Sequence, residues 1–237
     1  MGALDYTPHP RDTVECGPRS NPDIGCKDEQ GDSEAAYAQS LLWYITGNPV
    51  YAQNAVKIMN AWSGTLTGGH TNANAEVQAS WAGAVWPRAA EIVRYSYQGW
   101  TDSEVAKFQN MLTTQYLPSL IHGTCENGNK ELTMSEAIVN IGVFNDNRAA
   151  FHFGIKMWRG RAPATIYLKR DGPKPVEAVG CGLAIWGNKG LTPEFVDLPR
   201  MAAVIPMNRP TGVNHHMNWE TLTHAEMGSI GIPPVRR

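Results

Sequence analysis

Residues 32–62 read DSEAAYAQSLLWYITGNPVYAQNAVKIMNAW. In the first half, Ala35, Ala38, Leu41, Leu42 and Ile45 recur at helical spacing and Gly47 closes the run. Glycine suits that place because it takes the left-handed conformation that ends a helix. In the second half Asn48 stands at a capping position and Pro49 in the first turn, where its missing N–H costs nothing. Tyr51, Ala55, Ile58, Met59 and Trp62 then share one face. Two amphipathic helices joined so tightly form an antiparallel hairpin, and the named faces are expected to meet a core.

The pattern extends outward in both directions. A third helix is expected over about 75–95, carrying Val77, Trp81, Val85, Ala89, Ile92 and Val93. Thr101-Asp102-Ser103-Glu104 is a capping box that opens a fourth. That helix should run to about Tyr116 and stop at Pro118. A fifth is expected over about 131–144 and a sixth over about 148–161, before Pro163. Long and short connections alternate. The chain thus reads as all-α, a stack of helical hairpins forming a solenoid or incomplete (α/α) toroid rather than a closed four-helix bundle. Residues 1–31 read as an extended, turn-rich arm and residues 32–175 as the helical domain. Residues 176–237 read as an irregular segment packed on the same domain, with scattered Gly and Pro and no sustained period.

The 237 residues carry 20 basic and 22 acidic side chains, a net charge of −2. No global basic field exists to attract nucleic acid. No run of about 18 uncharged apolar residues is present, so no membrane span is expected. The eight Trp residues offer flat apolar faces with one polar handle, which suit either helix packing or stacking on sugars. Cys16 and Cys26 flank a Pro/Gly/Asn stretch. A disulfide between them would fasten a loose loop in an oxidising compartment, free thiols being the alternative. The first residues form no signal peptide; with the bridge, the simplest expectation is a secreted protein whose leader is absent from this chain.

Several constellations could carry chemistry. His70-Thr71-Asn72-Ala73-Asn74, followed by Gln78 and Trp81, and Glu126-Asn127-Gly128-Asn129 each put Asn side chains at the start of a long helix. Helix capping explains any single Asn. Two similar junctions also suit a carboxylate, since a helix N-terminus presents amide donors and positive dipole ends. Lys156, Arg159, Arg161, Lys169, Arg170 and Lys174 form a basic run, either a solvated helix end or a wall that recruits an acidic polymer. His215, His216 and His224 cluster late, a pattern of metal binding or proton transfer. No Cys pair or His pair has the usual ligand spacing, so neither a metal site nor a cofactor is expected.

Three segments then bring a family into view. Gly128-Asn129-Lys130-Glu131-Leu132-Thr133-Met134-Ser135-Glu136-Ala137, Gly142-Val143-Phe144-Asn145-Asp146-Asn147-Arg148-Ala149 and Trp158-Arg159-Gly160-Arg161-Ala162-Pro163-Ala164 with Tyr167-Leu168 resemble the alginate lyase domain family. The branch is that of polysaccharide lyases acting on alginate or glucuronan. The His70–Asn74 segment with Gln78, Trp81 and Pro87-Arg88-Ala89-Ala90-Glu91 is similar to the same branch, as is Glu15-Cys16-Gly17-Pro18 with Asn21-Pro22. The resemblance covers about residues 9–175. It implies an (α/α) toroid that cleaves a polyuronate by β-elimination, acting as a monomer on an acidic polysaccharide. By analogy Asn129 neutralises the uronate carboxylate, and a His or Tyr serves as base and acid, with His224 and His216 as candidates. Asn72, Asn74, Gln78, Trp81, Arg88, Asn127, Arg159, Arg161 and Tyr167 would bind substrate.

The chain departs from the family pattern in ways that suggest a truncated or rearranged member. Lys130 stands where relatives tend to carry an aromatic residue or His. Glu220-Thr221-Leu222-Thr223-His224 lacks the usual Arg, and Met227 occupies the place of a Tyr. Two other readings remain open. One is a non-catalytic descendant that binds acidic glycans. The other is an α/α-toroid glycoside hydrolase using Glu126 or Glu131 with Asp146 as its carboxylate pair.

Overall fold

A computed structural model describes residues 6–121 and 129–165, with the side chains of Ser20, Asn129 and residues 160–165 outside that description. The described chain is mostly helical. Helix α1 spans Cys26–Thr46, α2 Pro49–Thr65, α3 Ala75–Ser96 and α4 Asp102–Met111. A short helical turn, α5, spans Leu117–Leu120, and then come α6 Asn129–Phe144 and α7 Arg148–Thr165. The periodicity finds these helices but places several ends wrongly.

Helix α1 begins six residues ahead of the expected Asp32. Gly25, at φ +86, turns the chain into it, and the Asp23 carboxylate accepts from the N–H groups of Cys26 and Lys27, satisfying two orphan donors. The expected buried face of α1 is also corrected. Ala38, Leu41 and Ile45 are exposed, whereas Cys26, Glu29, Asp32, Ser33, Ala36, Gln39 and Ser40 are buried. Polar side chains go inward because partners are waiting for them. Asp32 accepts from the Tyr6 hydroxyl at 2.6 Å, the His9 N–H at 2.7 Å and the Trp62 indole N–H at 2.6 Å. With those bonds made, burial of the carboxylate is tolerated.

The second helix is as read: Asn48 accepts from the Val50 N–H, and Ala55, Ile58, Met59 and Trp62 are buried, with Tyr51 half-buried. The capping box of α4 is present in both directions. Pro118, however, stops nothing. After α4 the chain widens into a π-turn, Leu112–Tyr116, and continues through α5 with Pro118 in its first turn. In the first turn of a helix the missing N–H of proline costs nothing. Helix α6 starts at Asn129, two residues early, and α7 runs past Pro163 to Thr165.

One feature carries almost no strand signal in the sequence. Three very short strands form a sheet in the order β2-β1-β3. Strand β1 (Val14–Cys16) pairs antiparallel with β2 (Asp23–Ile24) and parallel with β3 (His70–Thr71), in the register Val14↔His70 and Glu15↔Thr71.

Helices α1, α3 and α6 lie side by side in one layer, while α2 packs on α1 and α4, and α7 on α6. The three layer helices run parallel. Gln78, near the start of α3, reaches Cys26 and Glu29 at the start of α1, and Ser96 at its end accepts from Trp43 near the end of α1. Lys130 pairs with Glu76, and Arg94 donates to the Phe144 carbonyl. The core between layers is a chain of aromatic contacts: Trp62 on Trp86, Trp86 on Phe108, and Phe108 on Trp100 and Phe144, with centroids 5.7–6.1 Å apart. Three of the eight Trp residues, Trp62, Trp86 and Trp100, are therefore spent on packing.

Candidate functional site

Parallel packing brings the N-termini of α1, α3 and α6 to one end of the layer, beside the small sheet. Positive dipole ends gather there. The turn from β3 into α3 is held closely. Asn72 sits at φ +74, a conformation Asn tolerates. Its Oδ1 accepts from the Ala73 N–H at 2.7 Å, and its Nδ2 donates to the Glu15 carboxylate at 2.9 Å. One amide hydrogen of the exposed Asn72 side chain remains beyond those bonds. Asn74 occupies the cap position of α3 without making a cap bond. Its backbone N–H donates instead to the Cys16 carbonyl at 2.9 Å and its Nδ2 to the Gly17 carbonyl at 2.8 Å.

Gln78 is buried, and its Nε2 donates to the Cys26 carbonyl and to Glu29 Oε2. Cys16 and Cys26 form a disulfide with Cα atoms 5.9 Å apart. The residues around this end are thus bonded to one another through the loop that the disulfide closes.

Beneath the turn lies a cluster that sequence reasoning missed. Glu29 Oε1 accepts from the Tyr116 hydroxyl at 2.5 Å and from His70 Nε2 at 2.8 Å. The other ring nitrogen of His70 donates to the Gln115 carbonyl at 3.2 Å. Both nitrogens face oxygen acceptors, an arrangement that favours the protonated ring. Burial opposes that charge, but the Glu29 carboxylate and the two hydrogen bonds outweigh it and raise the pKa of His70. Burial, with the Glu29 charge, pushes Tyr116 well above its usual value, so it stays a donor. The His70 and Glu29 side chains are fully buried. This buried His/Tyr pair ties α1, β3 and the turn before α5 to one another. Only its partners reveal its role, and Glu29 lies 41 residues away in sequence.

Farther along α3, Trp81, Arg88 and Tyr95 recur every seven residues on one face, with Trp81 46% and Tyr95 69% exposed. Arg88 is ion-paired with Glu136 of α6. Burial lowers the pKa of its guanidinium, and Tyr37 of α1 opposes that shift. Arg159 is exposed on α7, the helix beyond α6.

Asn72, Asn74 and Gln78 thus lie together at the start of α3, where Glu76 pairs with Lys130 at the start of α6. The structure places Trp81 and Arg88 along the same layer and Arg159 on its next helix. Asn127, Tyr167, His216 and His224 lie outside the described residues, and Asn129 and Arg161 are described only by their helical backbone. Among the described residues, no group of three or more His, Cys, Asp or Glu is disposed to hold a metal ion, and no helix is long and apolar enough to cross a membrane.

Glu131 is fully buried at the start of α6, and the exposed Asp146 follows its end. A helical rise of ~1.5 Å per residue puts them roughly 20 Å apart. A glycosidase pair needs about 5–9.5 Å, so these two carboxylates do not form one.

The family model for alginate lyase matches residues 5–179, well over half of the chain. No curated protein and no solved structure matches it. The motifs that carry the resemblance lie inside the matched range, and on that match the chain belongs to the alginate lyase family, a family of polysaccharide lyases.

Proposed function

We propose that this protein is a secreted polysaccharide lyase that cleaves a polyuronate, glucuronan or alginate, by β-elimination, with its hairpins forming part of an (α/α) toroid. The observation that carries the reading is the meeting of the α3 and α6 starts, where Lys130 Nζ lies 3.8 Å from Glu76 Oε2. That contact sets the Asn72–Asn74 turn and the Asn129 junction on neighbouring parallel helices, at the end of the layer where an anion is favoured.

The chemistry requires such a place. The C5 proton of a uronate lies next to a carboxylate, and its removal is prohibitive until that charge is neutralised by donors. In the proposed reaction the uronate carboxylate is held by the Asn129 side chain and by amide donors of the junction, with Asn72 flanking it. A base, a His or Tyr, takes the C5 proton. The C4–O4 bond then breaks as the C4–C5 double bond forms, and an acid gives O4 its proton. His224 and His216 are the candidates supplied by the sequence. Trp81 and Arg88 extend the binding face along α3, and Arg159 supplies positive charge beyond it.

The test is absorbance in the unsaturated-uronate band while the folded protein is incubated with glucuronan or with alginate. The reading expects a steady rise with one of the two polymers. A flat trace with both contradicts it, and new reducing ends without double bonds would select a hydrolase.

A further inference from the structure

We infer that the Cys16–Cys26 disulfide is a positioning element for the uronate-binding turn, an inference that rests on the reading of that turn given above. Four separate connections tie the bridged loop and its flanks to the β3 turn and the start of α3. Strand β1, which ends at Cys16, aligns β3 directly, with Val14 opposite His70 and Glu15 opposite Thr71. The carbonyls of Cys16 and of the next residue, Gly17, accept from the backbone and side-chain amides of Asn74. The Cys26 carbonyl accepts from Gln78, one turn farther along α3. Glu15, the neighbour of Cys16, holds the Asn72 amide.

Each half of the disulfide therefore offers its own carbonyl to a different residue of the same short segment, 74–78. Both cysteines are buried, at 3% and 4% exposure, so the bond lies under the turn. Held this way, Asn72 is fixed with one amide hydrogen directed by the Glu15 bond. Without the bridge, β1 and the first turn of α1 are still joined by the intervening loop, the two residue pairs of the β1–β2 ladder and the Arg11–Asp28 ion pair just ahead of β1, but by no cross-link at the two acceptor residues themselves. The acceptors for Asn74 and Gln78 then lose their covalent cross-link and are held less firmly relative to each other.

Two measurements on the full chain test this, each with oxidised protein, with protein reduced by a phosphine, and with the Cys16→Ala/Cys26→Ala variant. Amide hydrogen exchange is expected to speed up in residues 70–78 while α2 and α4 keep their protection. Unchanged exchange in that segment overturns the inference. So does uniform acceleration along the chain, which makes the bridge a staple of the whole fold. Steady-state kinetics on the responsive polyuronate are expected to show KM raised about ten- to a hundredfold with kcat little changed, the loss that misplacing a binding group produces. Reoxidation should restore KM. Equal KM in both redox states, or a fall in kcat alone, overturns the inference. If the oxidised protein releases no unsaturated product, the lyase reading fails, and hydrogen exchange still decides the positioning role.

Discussion

Glu29 and Asp32 stand one turn apart on α1, both fully buried, and each gathers donors from distant parts of the chain. Their burial is favourable only while those donors remain. Replacing Asp32 with Ala orphans the buried Trp62 indole, at about 1–3 kcal/mol, and also removes the acceptor of the half-buried Tyr6 hydroxyl. Chemical denaturation should show that loss, together with release of the arm at Tyr6–His9. The His70–Glu29 pair makes a prediction with pH. His70 has its pKa raised in the folded state. Its contribution is thus fully present below the unfolded value of ~6.5 and is lost as pH rises through the folded value. Melting temperature should decline across that window, and His70→Gln should flatten the decline. These residues were not legible in the sequence. An acidic residue at the start of a helix reads as a dipole partner, and nothing local shows that Glu29 faces His70 and Tyr116. The reading of α1 failed for the same reason: its apolar residues were assigned to the core, whereas hydrogen bonds placed its polar ones there.

At the scale of elements, signals confined to a few residues read correctly. Thr101 and Glu104 announced the start of α4, and Asn48-Pro49 that of α2, because a cap is satisfied by its own neighbours. Pro118 misled, since it opens the short α5 rather than closing a helix. The capping box also joins α4 to α2. Glu104 accepts from Asn60, whose Oδ1 accepts from Trp100. Hydrogen bonds from Thr101 hold the Glu104 carboxyl below its usual pKa. The stability it contributes is present above the unfolded value and lost as pH falls through the folded one. Thr101→Ala should cost about 0.5–2 kcal/mol, measured by thermal or urea unfolding, and should weaken that acid dependence. Helices α6 and α7 approach closely at Gly142, where an added Cβ would lie 2.6 Å from the Phe151 backbone nitrogen. Gly142→Ala should destabilise by about 1–3 kcal/mol through overpacking, read from the shift in urea midpoint.

Over the whole molecule, parallel α1, α3 and α6 form a layer whose N-termini share one end, with a disulfide-closed loop and a small sheet beneath them. The hairpin pattern made the helices legible and the ordered motifs made the family legible. The sheet was hidden because its strands are only two or three residues long and β1 pairs with β3 from more than 50 positions away. The central claim is that amide-bearing turns at the starts of α3 and α6 hold one uronate for elimination. Its most direct measurement is the rate of unsaturated-product formation by Asn129→Ala, with helicity checked by circular dichroism. The account predicts a folded variant slower by roughly 10²–10³, the usual value of one such donor. A folded Asn129→Ala protein as fast as the parent would contradict it.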